Sequence, residues 1–260
     1  MPDKLTIVKV GGAIVEEPLS LSRLLNTFAQ IGGKRILIHG GGRTATQVAA
    51  AMGIETHMIN GRRVTDEDML RIVTMVYGGL VNKTIVAHLN TLGIKALGLT
   101  GADLSVIRSH RRPPLPDGTD YGLVGDVDSV DSCALSTLLE ADIVPVVAPL
   151  TLGNGGQLLN TNADTIAASV AMGMAADYEV TLVYCFEKKG VLLNADDDDS
   201  VIPHIDSQSY EQLKADGIVS GGMLPKLDNS FSALRAGVKR VVITRADQIA
   251  DLSQSTTIVL

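Results

Sequence analysis

The 260-residue chain contains no tryptophan, and aromatic residues make up only 3% of it. Recognition therefore falls to backbone groups, small side chains and charge. Cysteine is almost as scarce. Cys133 and Cys185 stand far apart, spell no metal or redox motif, and each reads as a small buried hydrophobe. Positive charge is in deficit, and a net charge of −7 argues against a general nucleic-acid binder, which would carry a basic face. No apolar run approaches the length of a membrane span, and Met1 to Lys4 do not resemble a signal peptide, so the chain reads as cytosolic. Two standard nucleotide-binding spellings are missing as well. No P-loop string occurs, and Gly40-Gly41-Gly42-Arg43-Thr44-Ala45 lacks the third glycine of the dinucleotide fingerprint. The acidic run Asp196 to Asp199 has neither the glycine nor the final glutamate of an EF-hand, and reads as a solvated turn.

What is present is a repeated unit of strand, glycine cluster and helix. Leu5 to Val10 is apolar and β-branched, the pattern of a parallel strand buried on both faces, and it ends at Gly11-Gly12. Lys9 lies within it. A buried lysine is costly unless it is paired or meets an anion at a crevice. Leu21, Leu24, Leu25 and Phe28 recur at helical spacing over Leu19 to Ile31. Arg35 to His39 is a second strand, closed by Gly40-Gly41-Gly42, and Arg43 to Met52 suits a helix. Two glycine turns at the carboxyl ends of neighbouring parallel strands would line one crevice under helix N-termini that favour anions.

Further on, Glu55 to Val64 reads as a hairpin turning at Asn60-Gly61 and delivering Arg62 and Arg63. An arginine here is either a solvated charge or a bidentate carboxylate clamp. Thr65 with Asp68 resembles a capping box for a long helix to Leu92, with a break expected at Gly78-Gly79. Ile94 to Thr100 and Ile143 to Leu150 read as strands. Arg108 to Gly118 reads as an exposed basic loop or hairpin without a catalytic role. Asp126, Asp128 and Asp131 read as solvated or capping carboxylates in a turn before the helix Cys133 to Glu140. Asn160-Thr161-Asn162-Ala163-Asp164 precedes a helix, Thr165 to Met174. One polar residue suffices as its cap, which leaves two to explain. Val180 to Phe186 is a strand, Ser207 to Ala215 a short helix, and Val238 to Thr244 and Thr256 to Leu260 complete the sheet. After Gly221-Gly222-Met223, an amphipathic helix carries Lys226 in its first turn. The helix dipole disfavours a lysine there unless an anion compensates it.

Five strings carry a resemblance: Lys9-Val10-Gly11-Gly12, His39-Gly40-Gly41-Gly42, Asn60-Gly61-Arg62-Arg63-Val64-Thr65, Asn160-Thr161-Asn162-Ala163-Asp164 and Gly222-Met223-Leu224-Pro225-Lys226. In this order they resemble the amino-acid kinase superfamily. More narrowly, they look like its branch that phosphorylates the side-chain carboxylate of N-acetyl-L-glutamate in arginine biosynthesis. The resemblance covers nearly the whole chain. It implies an α/β fold, a three-layer αβα sandwich on a mainly parallel sheet. Residues 1–152 would form an N-terminal lobe binding the acyl-amino acid and residues 153–260 a C-terminal lobe binding ATP. It also implies that Lys9 and Lys226 are transition-state lysines held by Asp164, and that Gly11 and Gly12 contact the phosphoryl group. Gly41, Gly42, Arg63, Asn160 and Asn162 would meet the substrate. Glu187, Lys188, Lys189, Gly190, Val191, Leu192, Ile218, Val219 and Ser220 would hold the nucleotide. Two departures stand out: Arg62 replaces a common apolar residue, and Phe186-Glu187-Lys188-Lys189 replaces a Thr/Ser-Asp-Val opening.

Phosphoryl transfer to a carboxylate needs no strong base, because the nucleophile is already ionised near neutral pH. It needs in-line placement and positive charge around the moving oxygens. Mg²⁺ is expected to arrive with ATP and to need few protein ligands, so no metal-binding residue is assigned. Expected partners are N-acyl-glutamate, ATP and a second copy of the chain, with no nucleic acid or membrane. A relative acting on another amino acid or on uridylate, and a non-catalytic nucleotide sensor, are the competing readings. Substrate profiling and an ATP-turnover assay separate them. In the resembled family, arginine-inhibited enzymes carry an extra N-terminal helix. Only Met1 to Lys4 precede the first strand here, so an arginine-insensitive homodimer is expected.

Overall fold

The computed structural model describes residues 2–194 and 196–260. Strand β1 (Lys4–Val10) is followed by α1 (Gly12–Glu16), α2 (Pro18–Ala29), β2 (Lys34–His39) and α3 (Gly42–Ala51). A hairpin of β3 (Met58–Ile59) and β4 (Arg62–Arg63) leads into α4 (Glu67–Val73), a π-helical stretch (Thr74–Val81) and α5 (Asn82–Thr91). Next come β5 (Ala96–Leu99), β6 (Ile107–Arg111), β7 (Gly125–Val130), α6 (Ser132–Glu140), β8 (Val144–Val147), β9 (Leu150–Leu152), β10 (Leu158–Asn160) and α7 (Ala163–Met174). The chain closes with β11 (Glu179–Phe186), β12 (His204–Ile205), α8 (Ser207–Ala215), α9 (Leu224–Arg235), β13 (Arg240–Arg245) and β14 (Thr256–Ile258).

An eight-stranded sheet runs in the order β12-β14-β13-β11-β1-β2-β8-β5. Its pairings are parallel except β13 with β14. Alternation along β1 divides the core. Leu5 and Ile7 pack on one face with Ile166 and Val170 of α7 and Leu227 and Phe231 of α9. Val8 and Val10 pack on the other with Leu24 and Phe28 of α2, Ala45 of α3 and Ile85 of α5. Helices thus cover both faces, as an all-but-parallel sheet requires. The same alternation sends Lys9 to the side of α7 and α9. After β1 the chain moves to β2 on one side, whereas β11 adds on the other. The carboxyl ends of β1 and β11 therefore meet at the topological switch point, where open α/β sheets form their crevice.

Several local expectations are corrected. Asp66 caps α4, accepting from the Met69 N–H at 2.8 Å, while the Thr65 hydroxyl donates to the Arg63 carbonyl. The long helix does not break at Gly78-Gly79 but widens into the π stretch and continues to Thr91. By length and composition Glu67–Thr91 is long and apolar enough to cross a membrane, contrary to the expectation that no run comes near. Met69, Ile72, Val73, Val76 and Ile85 on it are nonetheless buried in the core. Asp126 and Asp128 lie on strand β7, paired with Arg112 and His110, and only Asp131 is a cap. Cys185 is buried but Cys133 is exposed. A second sheet, β10-β9-β6-β7, and the short strand β12 have no counterpart in the sequence reading. Asp198 and Asp199 pair with Lys188 and Lys189, so the acidic run is partly neutralised. Met1, part of the segment before β1, lies outside the described residues.

Candidate active site

Two turns define the crevice. Gly11 follows β1 and Gly40 follows β2, and they come so close that a Cβ on Gly40 would stand 3.2 Å from the Gly12 nitrogen. Gly41 has φ 154° and ψ 14°, and a Cβ there would lie 3.1 Å from the Tyr77 ring. A side chain at either position would have to displace its neighbour, and at Gly41 the backbone conformation disfavours one as well. Gly41 leads into α3, whose first N–H groups have no partners within the helix and point toward the crevice. One of them is taken by the chain itself, as Glu16 of α1 accepts from the Thr44 N–H at 2.8 Å.

His39 braces the second turn. It is fully buried, with Nδ1 2.7 Å from the Gly40 carbonyl and Nε2 3.1 Å from the Asn82 amide nitrogen. Asn82 also donates to the Val146 carbonyl at 2.9 Å. With the amide donating to Nε2, Nδ1 carries the proton and donates to Gly40. Burial lowers the imidazole to about 4, so it is neutral near pH 7.

The charged centre draws on three elements. Lys9 of β1, 6% exposed, places Nζ 2.6 Å from Asp164 Oδ1, and Lys226 in the first turn of α9 places Nζ 3.3 Å from Oδ2. Asp164 is therefore the anion beside the lysine that the α9 dipole disfavours. It sits in the first turn of α7, where a carboxylate is favoured. Burial would push its carboxyl up, but the Lys9 and Lys226 charges, with their hydrogen bonds, outweigh this and hold it below the usual carboxylate range. Asn162 is the cap of α7, accepting from the Asp164 and Thr165 N–H groups at 2.8 and 3.1 Å. Asn160 donates to the Thr65 hydroxyl at 2.9 Å, tying β10 to the arginine hairpin. The three polar residues thus have three separate tasks.

Arg63 is 8% exposed, and its guanidinium donates to the Gly42 carbonyl at 2.7 Å and to the Thr46 hydroxyl at 2.9 Å. The type of turn at Asn60 (φ 49°) and Gly61 (φ 74°) carries it back under α3. Arg62, beside it on β4, is less buried and also lines the crevice. Burial and the nearby Arg112 charge lower its guanidinium, partly offset by Asp126.

The glycine turns, Arg62, Arg63, Asn160, Asn162 and the Lys9–Asp164–Lys226 group line one crevice of about 800 Å³, together with Glu187, Lys188, Gly190, Val191, Leu192, Ile218 and Ser220; His39, Asn82 and Glu16 stand behind its wall. Lys189 and Val219 do not line it. Lys189 is turned to Asp199, and Val219 is buried in the core. Sequence reasoning missed Glu16, Tyr77, Asn82 and Tyr184, whose hydroxyl donates to the Asp164 carbonyl at 3.3 Å. The scarcity of aromatics was the available signal for the two tyrosines. Among the described residues, no group of three or more His, Cys, Asp or Glu side chains could hold a metal ion.

Two glycine turns at the carboxyl edge of a parallel sheet face a lysine of β1 and a lysine of α9 that share one aspartate, an arrangement able to meet the oxygens of a phosphoryl group. The chain belongs to the Amino acid kinase family, whose model it matches over residues 4–245. Membership implies ATP as co-substrate. Acetylglutamate kinase of Bacteroides thetaiotaomicron is 59% identical over 251 residues, covering 96% of this chain and 97% of that one. The Methanopyrus kandleri protein of the same name is 40% identical over 247 residues, with 94% and 96% covered. Among solved structures, N-acetylglutamate synthase of Neisseria gonorrhoeae, in complex with coenzyme A and N-acetyl-glutamate, superposes with a TM-score of 0.81. At 24% identity, over 98% of this chain and 59% of that one, it speaks to the fold alone.

Proposed function

We propose that the chain transfers the γ-phosphoryl group of ATP to the side-chain carboxylate of N-acetyl-L-glutamate, or a close N-acyl-glutamate, in arginine biosynthesis. The names of its relatives support this reading. The observation that carries it is the Lys9–Asp164–Lys226 triad facing two glycine turns, with buried Arg63 in the same crevice. A carboxylate oxygen attacks the γ-phosphorus, the bond to the bridging oxygen of ADP breaks, and ADP leaves with those electrons. No proton moves, which suits a site whose reactive groups are cations and N–H donors. The triad has a formal charge of +1, available to the equatorial oxygens as the transition state forms. Gly11 and Gly12 approach the phosphoryl group, and Gly41, Gly42, Arg63 and Asn160 bind the acyl-amino acid. Asn162 acts by capping α7.

Glu187, Lys188, Gly190, Val191, Leu192, Ile218 and Ser220 receive the nucleotide. This divides the chain into an acyl-amino-acid lobe, residues 1–152, and an ATP lobe, residues 153–260. Mg²⁺ comes bound to the ATP phosphates, which supply several of its oxygen ligands and leave few for the protein to provide. The enzyme works in the cytoplasm as a homodimer paired through the flank of the long helix, where Met75 and Leu80 are 51% and 56% exposed.

The test is ADP release with N-acetyl-L-glutamate, glutamate, aspartate and uridylate in parallel, with hydroxylamine trapping any acyl phosphate as a hydroxamate. Hydroxamate from the N-acylated substrate alone is expected. Preference for another acceptor, or no turnover at all, overturns the reading.

A further inference from the structure

Strand β11 ends with two aromatic side chains on the Lys9 face of the sheet, Tyr184 and Phe186, in a chain with only three phenylalanines. Their rings stack at 6.5 Å between centroids and 14° between planes. The Phe186 ring stands 5.8 Å from Lys9 Nζ and 5.2 Å from Lys226 Nζ. One ring thus serves both ammonium groups that share Asp164, and it does so at a position where the resembled pattern has Thr or Ser.

Two like charges beside a shared carboxylate repel each other, and an uncharged partner that attracts both helps to keep them together. A second carboxylate would cancel the remaining positive charge and compete with phosphate oxygens. An aromatic face attracts cations through its quadrupole without carrying formal charge. We propose that Phe186 is a positioning residue for phosphoryl transfer, holding the ammonium groups of Lys9 and Lys226 together while leaving the net charge of the triad for the transferring group. Beneath it, Tyr184 fixes the support by donating to the Asp164 carbonyl. The inference rests on the phosphotransferase reading above.

The test keeps ring shape and changes only the ring's electronics. Phenylalanine at position 186 is replaced by its mono-, di- and trifluorinated analogues, and turnover, both Michaelis constants and the melting temperature are measured. Turnover is expected to fall stepwise with fluorination, by about tenfold across the series, equivalent to about 1.4 kcal/mol. Both Michaelis constants should stay within about twofold and the melting temperature should hold steady. Phe186→Leu is expected to lose at least as much turnover as the trifluoro protein, and Phe186→Trp to retain most of it. A flat series in an active enzyme overturns the proposal. So does a rise in the Michaelis constant for ATP alone, which would mark Phe186 as a nucleotide contact. Absence of kinase activity in the unmodified protein would instead sink the phosphotransferase reading.

Discussion

Removing either ammonium from the triad leaves Asp164 with one cation and the transferring oxygens short of a full charge. Lys9→Ala and Lys226→Ala are each expected to lower kcat by about a hundredfold or more with the fold retained, judged by circular dichroism. Asp164→Asn should do the same by releasing both lysines; if that variant only unfolds, the carboxylate serves helix α7 rather than catalysis. The arginines divide differently. Arg63→Ala should raise the Michaelis constant for the acyl-amino acid by about tenfold or more, with that for ATP within about twofold, and Arg62→Ala should do much less. The reverse ranking would move the clamp to Arg62. Lys9 was legible because a lysine inside an apolar strand that stops at glycines must either meet an anion or leave a buried charge unpaired. Asn160 and Asn162 were not separable, since a helix cap and a substrate contact use the same side chain and only backbone direction tells them apart.

At the level of elements, strand β2, the Gly40-Gly41 turn and helix α5 are joined through His39 and Asn82. The imidazole stays neutral in the folded protein down to about pH 4 but takes up a proton near its ordinary 6.5 when the chain unfolds. Between those values the unfolded state binds more protons, so stability is full above about pH 6.5 and falls as the pH drops toward 4. The loss should approach roughly 3 kcal/mol. Urea titrations of the wild type and His39→Asn from pH 7.5 to 4.5 check it: the variant should show a shallower decline, and equal slopes would acquit His39. The buried helices and strands were readable from their periodicity, as with Leu21, Leu24, Leu25 and Phe28. The sheet β10-β9-β6-β7 was not, because strands of three to six residues depend on partners remote in sequence. Thr65 spelled a cap as well as Asp66 does; the choice was made by Asn160, which engages the Thr65 hydroxyl from 95 residues away.

On the scale of the whole molecule, the order of the strands was hidden from the sequence, although the fold class was not. Glycine turns after parallel strands specify a crevice, but only packing decides that β11 joins β1 from the far side. The exposed flank of the long helix leads to an assembly prediction. The wild type is expected to sediment as a dimer, and Met75→Glu combined with Leu80→Glu as a monomer; a dimer in both would place the contact elsewhere. Because Lys9 precedes the short Asn154–Gly156 turn while Asp164 and Lys226 follow it, the charge triad spans two stretches of chain that need not be covalently joined. Opening the backbone between Gly155 and Gly156 should give two fragments, each inert alone, whose mixing restores turnover. The enzyme would then be a complementation reporter, with colony growth on arginine-free medium scoring whether two fused proteins meet.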